Sequence, residues 1–393
     1  MRTVPVRDEQ RRIMSNTWAI VFGGPSPEHE ISILTGLQSE RVLTQAGDTV
    51  LPLYWAPAGG WFLVPEKTEA KDYLEGVPAG SKPVDVRIGD KSGLFVKKRF
   101  GEDELRPEAV LLCLHGGVGE GGGAAALFSL LGIPATGSSL FAGAVGMDKL
   151  AFGGLMAAAG IPSLPREPLS ALREPSFAGP FIVKPRFGGS SIGIEIAEDV
   201  AAARAVGKAS THLRAGAVLE PYRPELVDLN ISFRTAPTLE LTQLEKPLRG
   251  SGDSGLYSYA EKYLAGGAGQ DAGLTSAPRE FPAVVGEGVA ELAAELATRV
   301  AEATGLTGVV RVDLLLDEAT GELFVNEVNS IPGAMSLYLW APTRSAAEVL
   351  RDALVEARDK PFTLPAGGFG SGAALRAAGG IAGKLVGLDG PRA

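Results

Sequence analysis

The sequence predicts a mixed α/β protein, with an open α/β layer over roughly its first third and α+β organisation in its C-terminal part. Three observations predict this. The apolar runs WAIVFGG and AVLLCLHGG each end in glycines and lead into a helical pattern, the strand–turn–helix order of an open α/β layer. PFIVKPRFGGSSIGIEIAED reads as strand, glycine-rich loop, strand. RVDLLLDEATGELFVNEVN, residues 311–329, reads as two apolar runs around an Asp/Gly turn, hence an antiparallel hairpin.

Each element follows in order. Behind WAIVFGG, Ile31, Leu34, Leu37, Val42 and Leu43 recur at helical spacing, with Ser26 suited to the N-cap and Pro27 to the first turn. LPLYWAP and WFLVP are short strands, and a charged stretch then runs to Phe100. AVLLCLHGG is succeeded by a helix and GIPATGSS, and MDKLAFGGLMAAAGIPSLPR is a helix stopped by Gly160 and Pro162. AVLEPYRPELVDLNISFRTA holds two short strands separated by prolines. GSGDSGLYSYAEKYLAGGAGQDAG is a polar loop of a length that usually carries a function. An Ala-rich helix, the hairpin, a helix near Ala346–Arg358 and a glycine-rich peripheral tail complete the chain.

Composition narrows the classes. The 393 residues, 45% hydrophobic and 21% charged, are long enough for two or three domains with a large core. A formal net charge of −9 argues against a general nucleic-acid binder, which needs a basic face, but not against phosphate ligands met by local positive charge. Cys113, the one cysteine, forbids an intrachain disulfide, and three scattered histidines exclude a structural zinc site. The charged start MRTVPVRDEQRRIMSNT lacks the apolar core of a signal peptide, and no apolar run is long enough to span a bilayer. A cytoplasmic protein without a membrane partner is expected.

The hairpin carries charge where a buried sheet should not. Side chains alternate along a strand, so Arg311 and Asp313 share one side of the first run, and Glu327 and Asn329 one side of the second. Pairing could bring Asp313, Glu327 and Asn329 to one point. Three oxygen donors without thiol or imidazole suit a hard cation, Mg²⁺ if a phosphate shares the site. A sheet with one wet face would explain the same charges. In VKPRFGGSSIG, Lys184 ends a strand before glycines that let backbone N–H groups approach an anion, although a hairpin that needs glycine reads the same way. Lys149 stands at a helix start, where phosphate is welcome. Glu28 and Glu30 could serve only the helix dipole. His115 ends a strand, a position favoured for ligand contacts in an α/β layer.

VFGGPSPEHEISILTG, LHGGVGEGGG with LLGIPATGSS, MDKLAF, VKPRFGGSSIG, YAEKYL and RVDLLLDEATGELFVNEVNSIPG occur in this order between Trp18 and Trp340. Together they resemble the D-alanine–D-alanine ligase family of the ATP-grasp superfamily. The resemblance implies a three-domain ATP-grasp fold: an N-terminal α/β domain (18–137), a central subdomain (138–219), a C-terminal subdomain (220–360) and the tail (361–393). It implies a cytoplasmic enzyme of peptidoglycan synthesis. ATP phosphorylates the carboxylate of one amino acid, and the amine of a second attacks the acyl phosphate. Lys149, Lys184 and Lys262 would hold ATP phosphates, with Glu220 and Asp228 near adenine and ribose. Asp313, Glu327 and Asn329 would hold Mg²⁺, two ions by the family pattern, with Mn²⁺ as a substitute. Arg311 and the Gly333 N–H would stabilise the oxyanion. Glu30 would anchor the first ammonium and connect to Ser190 and Tyr263, and His115 would lie beside the substrates. Dimers are usual among similar ligases.

Two departures touch the amino-acid sites. The family's Glu-Asp-Gly followed by Gln is here Glu120-Gly121-Gly122 followed by Gly123, Ala124 and Ala125. Tyr338 stands where the family often has a small hydroxyl residue that binds the second substrate's carboxylate. An amine acceptor other than D-alanine, as in a secondary-metabolite or resistance ligase, is one reading; Tyr338 reaching the same carboxylate through its hydroxyl is another. A nucleotide-binding protein without ligase activity is the third.

Overall fold

A computed structural model describes residues 16–248, 278–362, 372–378 and 381–385. The first sheet has seven strands, β1 (Thr17–Gly23), β2 (Thr49–Trp55), β3 (Trp61–Leu63), β4 (Lys82–Arg87), β5 (Gly93–Lys97), β6 (Glu102–Leu105) and β7 (Ala109–Leu112), in the order β6-β5-β4-β3-β2-β1-β7. Strand β1 lies between β2 and β7, parallel to both, and is buried from Trp18 to Gly23, as a central parallel strand is when helices cover the faces of its sheet. Helix α1 (His29–Gln45) crosses from β1 to β2 and packs so closely that a Cβ on Gly36 would lie 2.5 Å from Phe22. Glycine is required there by space.

The charged stretch before Phe100 supplies two antiparallel strands, β4 and β5, and β6 follows it; hydrophobic patterning exposed none of the three. They form the edge of the sheet, where a few inward side chains, Val84, Leu94 and Val96, suffice and the others meet water. The N-terminal boundary of α1 is also corrected. The helix starts at His29, the cap position belongs to Glu28, and Ser26 instead accepts a hydrogen bond from the Glu28 N–H at 3.1 Å.

A second sheet, β8 (Glu167–Pro168), β9 (Phe181–Pro185), β10 (Glu195–Ala197) and β11 (Ala217–Pro221), has the order β10-β9-β11-β8. A third joins β12 (Val227–Arg234), β13 (Glu240–Leu241), β16 (Val309–Leu316) and β17 (Leu323–Asn329) in the order β13-β12-β16-β17. A short pair, β14 (Lys246–Pro247) and β15 (Arg279–Glu280), stands beside β12. The two strands foreseen on either side of the prolines at 221 and 224 therefore belong to different sheets.

Helices α2 (Ala124–Leu131), α3 (Leu140–Met147) and α4 (Lys149–Ala158) follow β7, α5 (Val200–Ala209) follows β10, and α6 (Val289–Thr304) precedes β16. Val310, Val312, Leu314 and Val325 point into a core closed by Leu296 and Val300 of α6, which turns the other face of the β16–β17 hairpin away from it. Short α7 (Leu337–Trp340) and α8 (Ala346–Asp359) complete the unit that ends at Phe362. The segment from Thr363 forms a separate unit, with helical turns at Ala373–Ala377 and Ala382–Leu385. Among the described residues no helix is long and apolar enough to cross a membrane.

Candidate active site

The polar face of the β16–β17 hairpin forms one wall of a cavity of about 220 Å³. Register places Arg311 opposite Asn329 and Asp313 opposite Glu327, with a bulge after Asp313. Arg311 donates to both oxygens of Asp313, Nε to Oδ1 at 2.6 Å and Nη2 to Oδ2 at 2.8 Å, and Asn329 Nδ2 donates to Oδ2 at 3.0 Å. All four hairpin residues line the cavity. Two carboxylates and an amide oxygen on one face fit a hard divalent cation, because Mg²⁺ keeps waters and takes substrate phosphate oxygens besides a few protein ligands. No group of three His, Cys, Asp or Glu side chains with metal-holding spacing occurs among the described residues, so the fit rests on this mixed set.

The cations stand opposite. Asp148 caps α4 by accepting from the N–H groups of Leu150 and Ala151, and Arg186 donates to both its oxygens at 2.8 and 2.6 Å. This cap sets Lys149, at the first helical position, against the glycine-rich loop: Nζ donates to the Gly188 carbonyl at 2.5 Å and lies 4.0 Å from Glu327 Oε2. Burial lowers the Lys149 pKa and the neighbouring Lys184 charge adds to that, against the opposing pull of Glu327. In the loop, Ser190 and Ser191 hold φ of 54° and 58°, a left-handed conformation that costs about 1–2 kcal/mol for each non-glycine residue.

Lys184, buried at the end of β9, donates from Nζ to Glu220 Oε2 at 2.7 Å. The other Glu220 oxygen contacts Arg166 Nε at 3.0 Å, close enough for an ion pair but misaligned for a hydrogen bond. Burial works to raise the Glu220 pKa, yet Lys184 and Arg166 outweigh it and hold the carboxyl below its ordinary value. Arg166 also donates to the Asn326 carbonyl, beside Glu327, and so ties the second sheet to the third. Sequence reasoning missed it; an arginine directly after the apolar GIPSLP run is the signal that could have found it. Glu220 and Asp228 both line the cavity, with the Glu220 carboxylate engaged by these cations.

At the other end the structure corrects one expectation. Ser190 Oγ donates to Glu28, whereas Glu30 is exposed on α1 and away from the cavity. Two residues along the start of a helix turn a side chain by more than half a revolution, so only one of the two acids faces the loop. Glu120, from the altered motif, is half-buried close by and accepts from the N–H groups of Gly116 at 2.8 Å and Ile331 at 3.2 Å. Burial and the charge of Glu28 raise its pKa to about 7.

His115 is buried on the cavity wall. The Ala334 N–H donates to Thr35 Oγ1 at 3.2 Å, and that hydroxyl is in turn hydrogen-bonded to His115 Nε2 at 2.8 Å. Burial lowers the His115 pKa to about 4, so the ring is neutral at pH 7. Gly333, on the same wall, precedes three left-handed residues, Ala334, Met335 and Ser336, with φ of 50–51°.

Tyr338 also lines the cavity. Its hydroxyl donates to Glu245 Oε2 at 3.0 Å and is therefore not directed at a substrate carboxylate. Asn230 Nδ2 donates to the same oxygen at 3.0 Å, Arg279 Nη1 to Oε1 at 3.0 Å, and the Arg279 guanidinium lies 4.3 Å from the Tyr338 ring centre. Burial, then the Glu245 charge, raises the Tyr338 pKa and keeps the phenol protonated. Lys262 and Tyr263 lie outside the described residues.

The arrangement can hold a polyanion and a hard cation at one end and amino-acid groups at the other. The family model described as D-ala D-ala ligase N-terminus matches residues 17–138, and that described as D-ala D-ala ligase C-terminus matches residues 146–357. The D-alanine--D-alanine ligase of Bifidobacterium animalis subsp. lactis is 30% identical over 365 residues, covering 82% of this chain and 92% of that protein. The D-alanine--D-alanine ligase of Kineococcus radiotolerans is 33% identical over 360 residues, covering 83% and 92%. Among solved structures, the D-alanine-D-alanine ligase from Coxiella burnetii superposes with a TM-score of 0.71 at 19% identity, over 88% of this chain and 94% of that one. VanG D-Ala:D-Ser ligase from Enterococcus faecalis gives 0.68 at 22% identity, over 87% and 99%. At those identities the structures speak for the fold.

Proposed function

Because this chain belongs to the D-alanine–D-alanine ligase family, with its ATP-grasp fold and ATP-dependent ligase activity, we propose that it joins D-alanine to a second D-alanine for cell-wall precursor synthesis. The observation that carries the reading is the hairpin face of Arg311, Asp313, Glu327 and Asn329 opposed to Lys149 in one cavity with Lys184.

Lys149 and Lys184 hold the ATP phosphates, and Asp228 lies toward the nucleotide sugar with the Glu220 segment beside the base. Asp313, Glu327 and Asn329 would hold the divalent metal, which when bound supplies positive charge against the phosphate oxygens. Glu28, oriented by Ser190, takes the ammonium of the first D-alanine, and His115 packs beside it as a neutral hydrogen-bonding group. A carboxylate oxygen of that substrate attacks the γ-phosphorus of ATP, the bond to ADP breaks, and an acyl phosphate results. The second substrate attacks the acyl carbon as its free amine, its ammonium proton having passed to water, and the nitrogen gives a further proton to water as the amide forms. Arg311 and the Gly333 N–H stabilise the oxyanion, and collapse expels phosphate. Such donors accelerate the step because they stand in place before charge develops.

The proposal extends to two Mg²⁺ ions replaceable by Mn²⁺, a cytoplasmic homodimer, and domain limits at 18–137, 138–219 and 220–360. Incubation with ATP, Mg²⁺ and D-alanine should release ADP and phosphate and yield the dipeptide. Phosphate release only with a different amine would remove D-alanine as acceptor, and none with any amino-acid pair would remove the ligase reading. A different acceptor is favoured by one observation, the Tyr338 hydroxyl committed to Glu245 beside Arg279.

A further inference from the structure

We propose that Arg279 holds the carboxylate of the amine-supplying amino acid and that Glu245 and Tyr338 position it for that task; the inference rests on the ligase reading above. The reaction itself sets the demand. The first substrate's carboxylate is consumed in the new amide, whereas the second keeps its own beside the attacking amine. A carboxylate drawn from water into the cavity needs a cation and hydrogen-bond donors.

The cavity-lining cations among the described residues are Lys149, Lys184, Arg223, Arg279 and Arg311. Lys149 and Lys184 stand with the glycine-rich loop and Glu220. Arg223 pairs with Glu225 and Asp317. Arg311 spends Nε and Nη2 on Asp313. Arg279 is the cation stacked on Tyr338, 4.3 Å from the ring centre and bonded through Nη1 to Glu245 at 3.0 Å.

A guanidinium carries five N–H donors in a planar fork and can serve two carboxylates at once. The ring and Glu245 fix its plane beforehand, which reduces the ordering cost of binding. Tyr338 cannot take the role itself. Its hydrogen goes to Glu245, so toward an anion the phenol turns only lone pairs. Glu245, buried and bonded also by Asn230, repels a second carboxylate from its own side and directs it to the guanidinium.

The test is a competition between D-alanine and D-alaninamide as acceptors, with D-alanine as first substrate and the two products separated by mass. Should the acceptor prove to be another amino acid, it and its amide are used. Arg279→Leu should lower the ratio of acid to amide product by about ten- to a hundredfold, the range for hydrogen bonds to a charged group. Arg279→Lys, which keeps the charge without the fork, should lower it by roughly three- to tenfold. Binding of ADP and Mg²⁺ to each variant reports that the fold is intact. Equal loss of both products, or an unchanged ratio, overturns the role of Arg279. If Arg279→Leu fails to bind ADP, the Arg279→Lys ratio decides alone. Absence of either product in the unmodified enzyme with every amino-acid pair overturns the ligase reading and this inference with it.

Discussion

Glu28→Gln tests the assignment of the first ammonium site, and its size can be worked from the surroundings of the carboxylate. Glu28 is 9% exposed and accepts from Ser190, so the substitution changes charge while keeping shape and one hydrogen-bonded edge. A hydrogen bond to a charged partner contributes about 1.5–3 kcal/mol, which at 1.4 kcal/mol per factor of ten is a fall of roughly 10- to 150-fold in kcat/KM for the first amino acid. ATP affinity should hardly move, since the nucleotide end is built from other residues. A second readout comes from Glu120, whose pKa of about 7 is raised by burial and then by Glu28. Removing the Glu28 charge lowers that pKa, so any limb of the pH–rate profile governed by Glu120 shifts to lower pH. Glu30→Gln is the comparison: an exposed first-turn acid contributes about 0.3–1 kcal/mol to helix stability, and activity should stay within about twofold. The assay is phosphate release at saturating ATP with the first substrate varied. Loss in Glu30→Gln matching that in Glu28→Gln, or full activity in Glu28→Gln, would refute the assignment.

Arg311→Ala should lower kcat by about 10²–10³-fold with ATP affinity changed by less than about threefold, because its charge matters most when the oxyanion forms; weaker ATP binding at unchanged kcat contradicts that role. Glu327→Gln should raise the Mg²⁺ concentration for half-activation at least about tenfold, since even partners behind a metal ligand are worth 10–100-fold, and full activity at unchanged Mg²⁺ removes Glu327 from the metal set. Glu120 predicts a pH-dependent stability. Its folded pKa of about 7 exceeds the ordinary 4.5, so the folded state holds the proton more tightly and loses stability as pH rises between those values, by on the order of 3 kcal/mol. Urea unfolding of Glu120→Gln against the unmodified chain should therefore favour the variant increasingly from pH 4.5 to 7, and a constant difference would contradict the burial argument. His115, lowered to about 4 by burial, acts in the opposite sense over pH 4–6.5, which is why the difference between variants, and not the raw curve, carries the test.

Much of the site was legible in the residues because its parts are locally periodic. The alternation along 311–316 and 323–329 already separates core from cavity face, and the cap at Asp148 with its lysine belongs to one turn of helix. Edge strands β4–β6 were not legible, since an edge needs few apolar side chains and reads as charged loop. Glu28 and Glu30, two acids in one helix start, look alike along the chain until the turn of the helix is known.

By itself the sequence determined the hairpin, its charged face, the lysines at element ends and the family order of the motifs, all properties set by near neighbours along the chain. Tertiary structure alone decided that Glu28 meets Ser190, that Arg166 joins Glu220 to the strand of Glu327, and that Tyr338 gives its proton to Glu245 beside Arg279. Those contacts join segments far apart in the chain. Which partner a side chain finds there depends on how whole sheets pack, and no local pattern carries that information.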